Sequence, residues 1–226
     1  MSHPQLNLSN DELLSTTRAV RKHLDLERPV EESVLLECLE LAVQAPSGSN
    51  AQGWQYVLVT DTEKKAKIGE FYAQAFSLYR DMPMAIHHLH GDSGNEALKA
   101  SQKRSTDSAE YLAENMGKVP AMLIPCITGR TDSAEMAGMG ALAQASQLGS
   151  IIPAAWSFML AARARGLGTA WTTLHLMHER ETADLLGIPY DEVMQIALIA
   201  IGYTRGTDFK PAYRPPIETV THINAW

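Results

Sequence analysis

The sequence predicts an α+β fold, and three observations carry that prediction. Its 226 residues are 45% hydrophobic, which is enough to bury one sizeable core. Helix-like and strand-like segments are mixed, without the strict alternation that a doubly wound parallel sheet requires. No Pro/Ser/Gly-rich or charged linker divides the chain. We therefore expect one domain that spans residues 1–226.

Composition and charge narrow the classes of function. The chain has 26 acidic and 19 basic residues, a formal net charge of −7, which argues against general nucleic-acid binding. Its two cysteines, Cys38 and Cys126, lie in apolar runs far apart, as is typical of buried thiols in a reducing compartment. The first ten residues lack an apolar signal core, and no apolar run reaches membrane-spanning length. We expect a cytoplasmic protein without nucleic-acid or membrane partners.

The first half of the chain predicts helices around one strand. Ser9 and Glu12 have capping-box spacing, which predicts a short helix from Asn10 to about Thr16. Pro29 is expected to open a second helix that runs to Gln44, since proline is tolerated in a first turn. Further expected elements are a strand over 55–60, a helix over 62–79, a loop over 91–95 and a helix over 96–117.

The second half predicts the remaining strands and a long tail. A buried strand over 119–128 contains Pro120 and Pro125, which fit edge or bulge positions better than a central ladder. Residues 129–150 are rich in small side chains, and we expect them to be partly mobile. The other expected elements are an apolar helix over 152–165 that ends at Gly166, a strand or loop over 167–173, a helix over 179–186 that ends at Gly187 and a strand over 193–203. The tail over 204–226 carries apolar side chains that it could not bury alone, so we expect this C-terminal arm to pack on a partner.

The stretch 45–55 is the most informative loop. It reads Ala-Pro-Ser-Gly-Ser-Asn-Ala-Gln-Gly-Trp-Gln and joins a predicted helix to a predicted strand. Pro46 disfavours helical geometry at Ala45, so the helix should end there. The hydrogen-bonding side chains of the loop are those of Ser47, Ser49, Asn50 and Gln52. A loop of this kind can wrap a flat polar ligand, whereas many polar turns bind nothing.

Two basic segments near opposite ends of the chain form the second candidate feature. Arg18, Arg21 and Lys22 concentrate positive charge in an acidic protein. Lys210 and Arg214 do the same near the other end. If the two segments meet, their cations can clamp a phosphate through charge-assisted hydrogen bonds. The alternative is a solvated face that neutralises nearby carboxylates and contributes little.

Other motifs point away from several classes of enzyme. Residues 166–174 contain Gly-x-Gly but follow a helix instead of opening one, which does not fit a dinucleotide-binding turn. His87, His88 and His90 cluster without a cysteine or acidic residue at ligand spacing, so we expect no metal site. Neither His-Glu-x-x-His nor Gly-x-Ser-x-Gly is present. Nothing in the sequence predicts a protein nucleophile.

The order of these pieces resembles the FMN-dependent nitroreductase superfamily. The segments that carry the resemblance are 17–21, 45–54, 166–169 and 214–216. It spans about residues 10 to 220. The resemblance implies a mostly antiparallel central sheet flanked by helices, an intertwined homodimer and one FMN at each subunit interface. It also implies transfer of hydride from NAD(P)H through the flavin to a small-molecule acceptor.

The resemblance also implies a set of cofactor-binding residues. Arg18, Ala19 and Arg21 would lie at the FMN phosphate or the pyrimidine edge, and Arg214 near the phosphate. The loop residues Pro46, Ser47, Gly48, Ser49, Asn50 and Gln52 would line the ring and ribityl chain, from the partner subunit. Thr172, Thr173 and Leu174 would lie near the flavin N5. No protein residue is expected to be catalytic, because the flavin supplies the redox chemistry.

The chain departs from the family pattern at two points. The family often begins its first motif Arg-Arg-Ser, where this chain has Thr17, Arg18 and Ala19. One cation and one hydroxyl are missing, so phosphate contacts are fewer or are made by Lys210. Proline often precedes the tryptophan of the loop, where this chain has Gly53. The variable segments 80–117 and 129–150 are expected to form the mouth over the flavin.

Three functions remain open at this level. The first is NAD(P)H-dependent reduction of a nitroaromatic, a quinone or another electron-poor ring. The second keeps the fold but performs reductive dehalogenation or flavin fragmentation, both known from relatives. The third is a protein that stores or senses FMN with little turnover.

Overall fold

The computed structural model describes residues 3, 5–89, 94–133 and 138–226. The α-helices of these ranges are α1 Asn10–Thr16, α2 Glu32–Ala42, α3 Thr62–Arg80, α4 Glu96–Asn115, α5 Gly140–Ala164 and α6 Glu179–Leu186. The strands are β1 Trp54–Val59, β2 Ala121–Thr128, β3 Leu167–Thr172, β4 Val193–Gln195 and β5 Leu198–Tyr203. Short 3-10 helices cover Gly48–Asn50, Met116–Lys118, Leu174–His178 and Ile217–Thr219.

The strands form one antiparallel sheet in the order β1-β2-β5-β3, and β4 also pairs with β2. Alternate residues of β2 face opposite sides, as the period of two requires. Met122 and Ile124 pack in a cluster with α3 and α4. Ala121 and Leu123 pack in a second cluster with α2 and α5. The prediction of an α+β fold with a mostly antiparallel sheet flanked by helices is confirmed.

Pro125 lies in the middle of this sheet, and the reason is a bulge. Cys126 pairs with Gln195 of β4, whereas Leu123 pairs with Ile199 of β5. The partner strand therefore has one extra residue opposite Ile124 and Pro125. A proline has no N–H to donate to a ladder, and a bulge is where that loss is tolerated. An edge or bulge position was predicted for Pro125, and the structure has the bulge. The single strand expected over 193–203 was wrong, because it divides into β4 and β5.

Several predicted boundaries need correction. Helix α2 begins at Glu32, after an extended cap at Glu31, so Pro29 precedes the helix and is not in its first turn. Helix α5 begins at Gly140, so the second half of the segment expected to be partly mobile, residues 140–150, is helical. Small residues concealed this start, because alanine and glycine give no apolar periodicity.

The capping box of α1 is confirmed: Ser9 accepts from the Glu12 backbone, and the Glu12 side chain accepts from the Ser9 N–H.

Helix α3 and the 3-10 helix before β2 touch through their backbones. A Cβ atom built on Gly69 would lie 2.5 Å from the backbone nitrogen of Gly117. A Cβ on Gly117 would lie 3.1 Å from the Cα of Ala66. Gly69 therefore needs glycine for close approach rather than for an unusual backbone angle, and a side chain at Gly117 would be tightly packed.

The tail after β5 leaves its apolar side chains in water. Ile217, Val220 and Ile223 are 67%, 67% and 81% exposed, and Trp226 is fully exposed. Phe209, nearer the sheet, is partly buried against the first core cluster. Both cysteines are free and buried, as predicted. In the part of the chain that the structure describes, no helix combines the length and apolarity needed to cross a membrane.

Candidate functional site

The principal cleft has a volume of about 470 Å³ and lies between three parts of the chain. Residues 18–23 form its floor, a face of α4 between Ser101 and Ser108 forms one wall, and the tail between Phe209 and Tyr213 forms another. These parts lie far apart in sequence. The cleft therefore exists only when the N-terminal segment and the tail come together.

Backbone hydrogen bonds hold the floor and tail in place. The N–H of Val20 donates to the carbonyl of Thr169 in β3 at 2.8 Å. The N–H of Arg205 donates to the carbonyl of His23 at 2.8 Å. Arg18 reaches the tail directly, through its Nη1 and the Lys210 carbonyl. The two basic segments identified from the sequence do meet.

Arg21 is the buried cation of the cleft. Burial lowers its pKa, and the positive charge of Arg18 lowers it further, while Tyr72 partly opposes both. Among the described residues, Arg21 has no carboxylate within ion-pairing distance. A half-buried guanidinium beside a second one, without an acid, is stabilised by an anionic ligand. The electrostatics thus fit a phosphate or an electron-rich ring edge.

Tyr72 connects the floor to the end of strand β3. Burial raises the pKa of the Tyr72 hydroxyl, and the neighbouring Thr172 and Arg21 both lower it. Thr172 ends β3, and Leu174 begins the 3-10 helix that follows. Leu174 packs against the first core cluster, and Thr173 between them is exposed. The predicted segment 172–174 thus lies beside the inner end of the cleft.

The polar loop after α2 has an unusual backbone. Ser49, Asn50 and Gln52 have φ angles of 52°, 54° and 51°, in the left-handed region that non-glycine residues rarely adopt. Each such residue costs on the order of 1–2 kcal/mol. The Gln52 N–H donates to Ser47 Oγ at 3.0 Å, and the Gly48 N–H donates to Ser150 Oγ of α5 at 3.0 Å. Strain maintained in this way is concentrated at functional sites.

The structure gathers some of the predicted residues and separates others. Arg18, Ala19 and Arg21 line the cleft. Within the described chain, the loop 46–52, the segment 172–174 and Arg214 are not part of its lining. Arg214 is exposed, and its Nη1 donates to the carbonyl of Tyr213 at 2.8 Å. The loop instead packs on α5, which leaves its polar side chains exposed to solvent.

The α4 wall was not predicted residue by residue. Ser101, Arg104 and Ser105 line the cleft, although the sequence placed them only in a variable mouth over 80–117. The available signal was their spacing, because residues three and four apart share one face of a helix. That signal has meaning only once α4 is known to face the basic segment 18–23.

His87 and His88, two of the three clustered histidines, make structural contacts. His87 contacts Glu110 of α4 at 3.3 Å and lies edge-on to Phe76 of α3. His88 contacts the carbonyl of Arg80 at 3.1 Å. His90 lies outside the described residues. His87 therefore connects α3 to α4, and His88 contacts the end of α3.

A buried ion pair supports the segment 174–178 from behind. Arg130 contacts Glu179 through its Nη2 and Oε2 at 2.9 Å, and Asp132 at 2.9 Å. Glu179 also accepts from the Gln195 N–H at 3.1 Å.

His175, in the segment that precedes Glu179, is fully buried, and neither of its ring nitrogens has a hydrogen-bond partner in the described chain. Burial lowers the pKa of His175 to about 3, so the ring is neutral at physiological pH.

Comparison with known proteins finds relatives over most of the chain. The sequence model of the Nitroreductase family matches residues 14–203. A Bacillus subtilis protein provisionally named an NAD(P)H nitroreductase is 28% identical over 211 residues, which cover 92% of this chain and 95% of that protein. The 5,6-dimethylbenzimidazole synthase of Rhodospirillum rubrum is 25% identical over 179 residues, 78% of this chain and 74% of that protein.

Solved structures show the same fold. A BluB-like flavoprotein from Clostridium difficile superposes with a TM-score of 0.69 at 17% identity, covering 96% of this chain and 99% of that one. The family match covers most of the chain, from α1 to the end of β5. It includes the floor of the cleft, the strained loop and the end of β3. The chain belongs to the Nitroreductase family.

Proposed function

We propose that the protein is an FMN-dependent oxidoreductase that passes reducing equivalents from NAD(P)H to an electron-poor acceptor such as a nitroaromatic or a quinone. The observation that carries this proposal is the half-buried Arg21 beside Arg18 in a cleft of about 470 Å³, where neither guanidinium forms an ion pair with a described carboxylate. Family membership supports flavin chemistry, and the provisional name of the Bacillus subtilis relative supports the nicotinamide donor. We further propose a cytoplasmic homodimer that is one domain over 1–226.

The residues of the cleft fit FMN. Arg18 is exposed at the mouth and can donate to phosphate oxygens, which guanidinium groups bind in a bidentate manner. Arg21 lies deeper, where its charge is desolvated and acts most strongly on a ligand. Ala19 adds only a methyl group to the floor, so a ligand can approach the backbone there closely. Bound FMN would supply the two-electron chemistry that no side chain in this cleft supplies.

The protein's part in the reaction is positioning and charge. Arg21 would stabilise negative charge at the pyrimidine edge of the ring, because a fixed cation in a water-poor site needs little reorganisation. Thr172, Thr173 and Leu174 would present backbone and hydroxyl groups at the opposite edge. Phe209 and Tyr213 in the tail would restrict water at the mouth. Neither a general base nor a nucleophile is required.

The strained loop supports a site shared between two subunits. It does not line the cleft of its own chain, although the family pattern assigns Pro46–Asn50 and Gln52 to the flavin. Helices α2 and α5 also expose large apolar side chains, among them Leu36, Leu41, Ile152 and Trp156. Exposed apolar area of this kind marks a protein interface. We propose that the loop reaches the cofactor of the partner subunit and that Arg214 approaches the phosphate there.

A second reaction class has one specific observation in its favour. The 25% identity with the Rhodospirillum rubrum 5,6-dimethylbenzimidazole synthase extends over 78% of this chain. Synthase chemistry on the same fold is therefore the alternative to acceptor reduction. A storage protein for FMN is the third candidate.

The absorption spectrum of the purified protein, with the mass of any released cofactor, tests flavin binding first. Anaerobic titration with NADPH and with NADH then separates the candidates. Bleaching of the flavin by either nucleotide supports the oxidoreductase. A protein that photoreduction bleaches but excess nucleotide leaves yellow would overturn NAD(P)H dependence. A panel of a nitroaromatic, a quinone and a halogenated phenol then identifies the acceptor class.

A further inference from the structure

The cleft has more positive charge than one FMN needs. Arg18, Arg21, Lys22 and Arg104 line it, against a single carboxylate, that of Asp107. That carboxylate is already engaged by Lys103 of α4 at 3.2 Å. The whole protein has a net charge of −7, so the cleft reverses the sign of its surroundings. A concave basic surface in an acidic protein raises the local concentration of anions.

Arg104 is one of two cations of the cleft, with Lys22, that the flavin assignments leave unused. It is exposed on the α4 wall, opposite the floor that Arg18 and Arg21 form. In the described chain it forms neither an ion pair nor a side-chain hydrogen bond with another residue. Its guanidinium is therefore free to bind a ligand that enters between the wall and the floor.

Two hydroxyl groups share the helix face with Arg104. Ser101 and Ser105 are four residues apart and both line the cleft. Ser108, one turn further on, instead donates its hydroxyl to the carbonyl of Ser105 at 3.1 Å. The wall thus presents one guanidinium and two hydroxyl groups at helical spacing. A planar carboxylate accepts from such a set, since it offers two oxygens to a guanidinium and further lone pairs to hydroxyls.

We propose that the α4 wall, through Arg104 with Ser101 and Ser105, binds the anionic group of the electron acceptor, so that the preferred acceptors are ring compounds with a carboxylate. This inference rests on the proposed function, because it assigns the flavin to the floor and the acceptor to the wall. Arg104 is a binding and specificity residue, and it takes no part in the electron transfer itself.

Matched acceptors test the proposal. The pair is 4-nitrobenzoate and the uncharged 4-nitrobenzamide, which place the same reducible group on the same ring. The variants are Arg104→Ala and Arg104→Lys, and the control is Lys99→Ala, a cation of α4 that pairs with Glu96 outside the cleft. The measurements are kcat/KM for each acceptor, the KM for NADPH, FMN affinity by fluorescence titration, and calorimetric binding of 4-nitrobenzoate to the oxidised protein without a reductant.

Arg104→Ala is expected to lose about tenfold or more in kcat/KM and in affinity for 4-nitrobenzoate, the effect of one charge-assisted hydrogen bond. Its kcat/KM for 4-nitrobenzamide and its FMN affinity are expected to stay unchanged. Arg104→Lys should recover part of the loss, and Lys99→Ala should match the wild type. Comparison of each variant with the wild type on the same acceptor removes the difference in reduction potential between the two acceptors.

Three results would overturn the proposal. One is an equal loss on both acceptors, and another is a fall in FMN affinity, which would assign Arg104 to the flavin phosphate. The third is a loss confined to the KM for NADPH, which would assign it to the nucleotide. Failure of the proposed function would look different, since the wild type would then hold no flavin or fail to bleach. In that case the calorimetric comparison still decides whether Arg104 binds a carboxylate.

Discussion

The Nη1 atom of Arg18 donates a hydrogen bond to the backbone carbonyl of Lys210 at 3.0 Å. The two residues are 192 positions apart, and this contact closes the cleft at its mouth. It also fixes one N–H of a guanidinium that has further donors to offer a ligand. The same side chain thus helps to assemble the site and, in the function proposed above, to bind FMN.

Replacement of Arg21 by alanine should weaken FMN binding. The variant loses a charge-assisted hydrogen bond worth about 1.5–3 kcal/mol, so FMN affinity should fall roughly tenfold to a hundredfold. Arg18→Ala should lose less, because Arg18 is more exposed. Titration of the apoprotein with FMN, followed by flavin fluorescence, measures both. Lys67→Ala on the outer face of α3 is the control, and wild-type affinity in Arg21→Ala would refute the assignment.

Removal of part of the tail should separate dimer stability from the integrity of the cleft. Truncation after Arg214 removes the exposed Ile217, Val220, Ile223 and Trp226 but keeps the cleft wall. We expect the truncated dimer to dissociate at a higher protein concentration than the wild-type dimer. Light scattering over a concentration series measures this. A truncated dimer of unchanged affinity and melting temperature would contradict packing of the tail on a partner.

Truncation after Thr204 should have a second effect. It removes the Thr207 carbonyl, to which the buried Arg163 donates at 2.9 Å, and Phe209, over which the Arg163 guanidinium lies at 4.9 Å. Burial lowers the pKa of Arg163, so this charge is already incompletely compensated. The shorter protein should therefore unfold at lower urea than the one truncated after Arg214. Equal urea midpoints for the two would show that Arg163 does not depend on the tail.

His175 should make the protein less stable in acid. Its pKa in the folded state is about 3, against an ordinary value near 6.5. Below pH 6.5 the unfolded chain therefore takes up a proton that the folded chain does not, and the free energy of unfolding falls. The slope for one such group is at most about 1.4 kcal/mol per pH unit.

Urea unfolding between pH 7.5 and 5 measures the effect, with His175→Gln as the test. The variant should show a flatter pH dependence than the wild type. His222→Gln, in the exposed tail, should retain the wild-type slope. Parallel pH profiles for the wild type and His175→Gln would show that this ring is protonated in the folded protein. This range extends from about 1 unit above to about 1.5 units below the ordinary histidine pKa.

Glu179→Ala should be among the most destabilising single changes. It leaves the buried Arg130 with the more exposed Asp132 as its one described carboxylate partner, and the pKa of Asp132 is itself lowered by that guanidinium. Loss of one partner of a buried pair costs about 3 kcal/mol or more. Glu181→Ala, two residues on and exposed, should leave the urea midpoint unchanged. Equal midpoints for the two variants would show that the Arg130 pair contributes no net stability.

Local sequence signals predicted local structure well. The capping box at Ser9 and Glu12 placed α1, and Gly187, with φ of 71°, ends α6 as expected. Each of these signals acts within a few residues, so no tertiary contact is needed to read it. Pro125 was informative in the same way, because its missing N–H allowed only an edge or a bulge.

Long-range features could not be predicted in this way. No pattern in the sequence shows that residues 18–23 and 209–213 form one cleft, because the contact depends on how β3 and β5 pair. The start of α5 was missed because Gly140–Ser150 is held by tertiary packing, including the Ser150 contact with the loop, and not by a strong apolar periodicity. The position of Arg104 in the cleft could not be predicted for the same reason, since the cleft beside α4 is a product of the fold.

The contact between Gly69 and Gly117 connects the packing of α3 to the cleft. The space that a side chain would need at Gly69 is filled by the backbone of Gly117, and the backbone of Ala66 in α3 bounds the space at Gly117. A side chain at Gly69 would force α3 and the 3-10 helix apart. Tyr72 lies one turn further along α3 and faces both Arg21 and Thr172, so it would move as well. A substitution at Gly69 would thus also change the electrostatics of the ligand site.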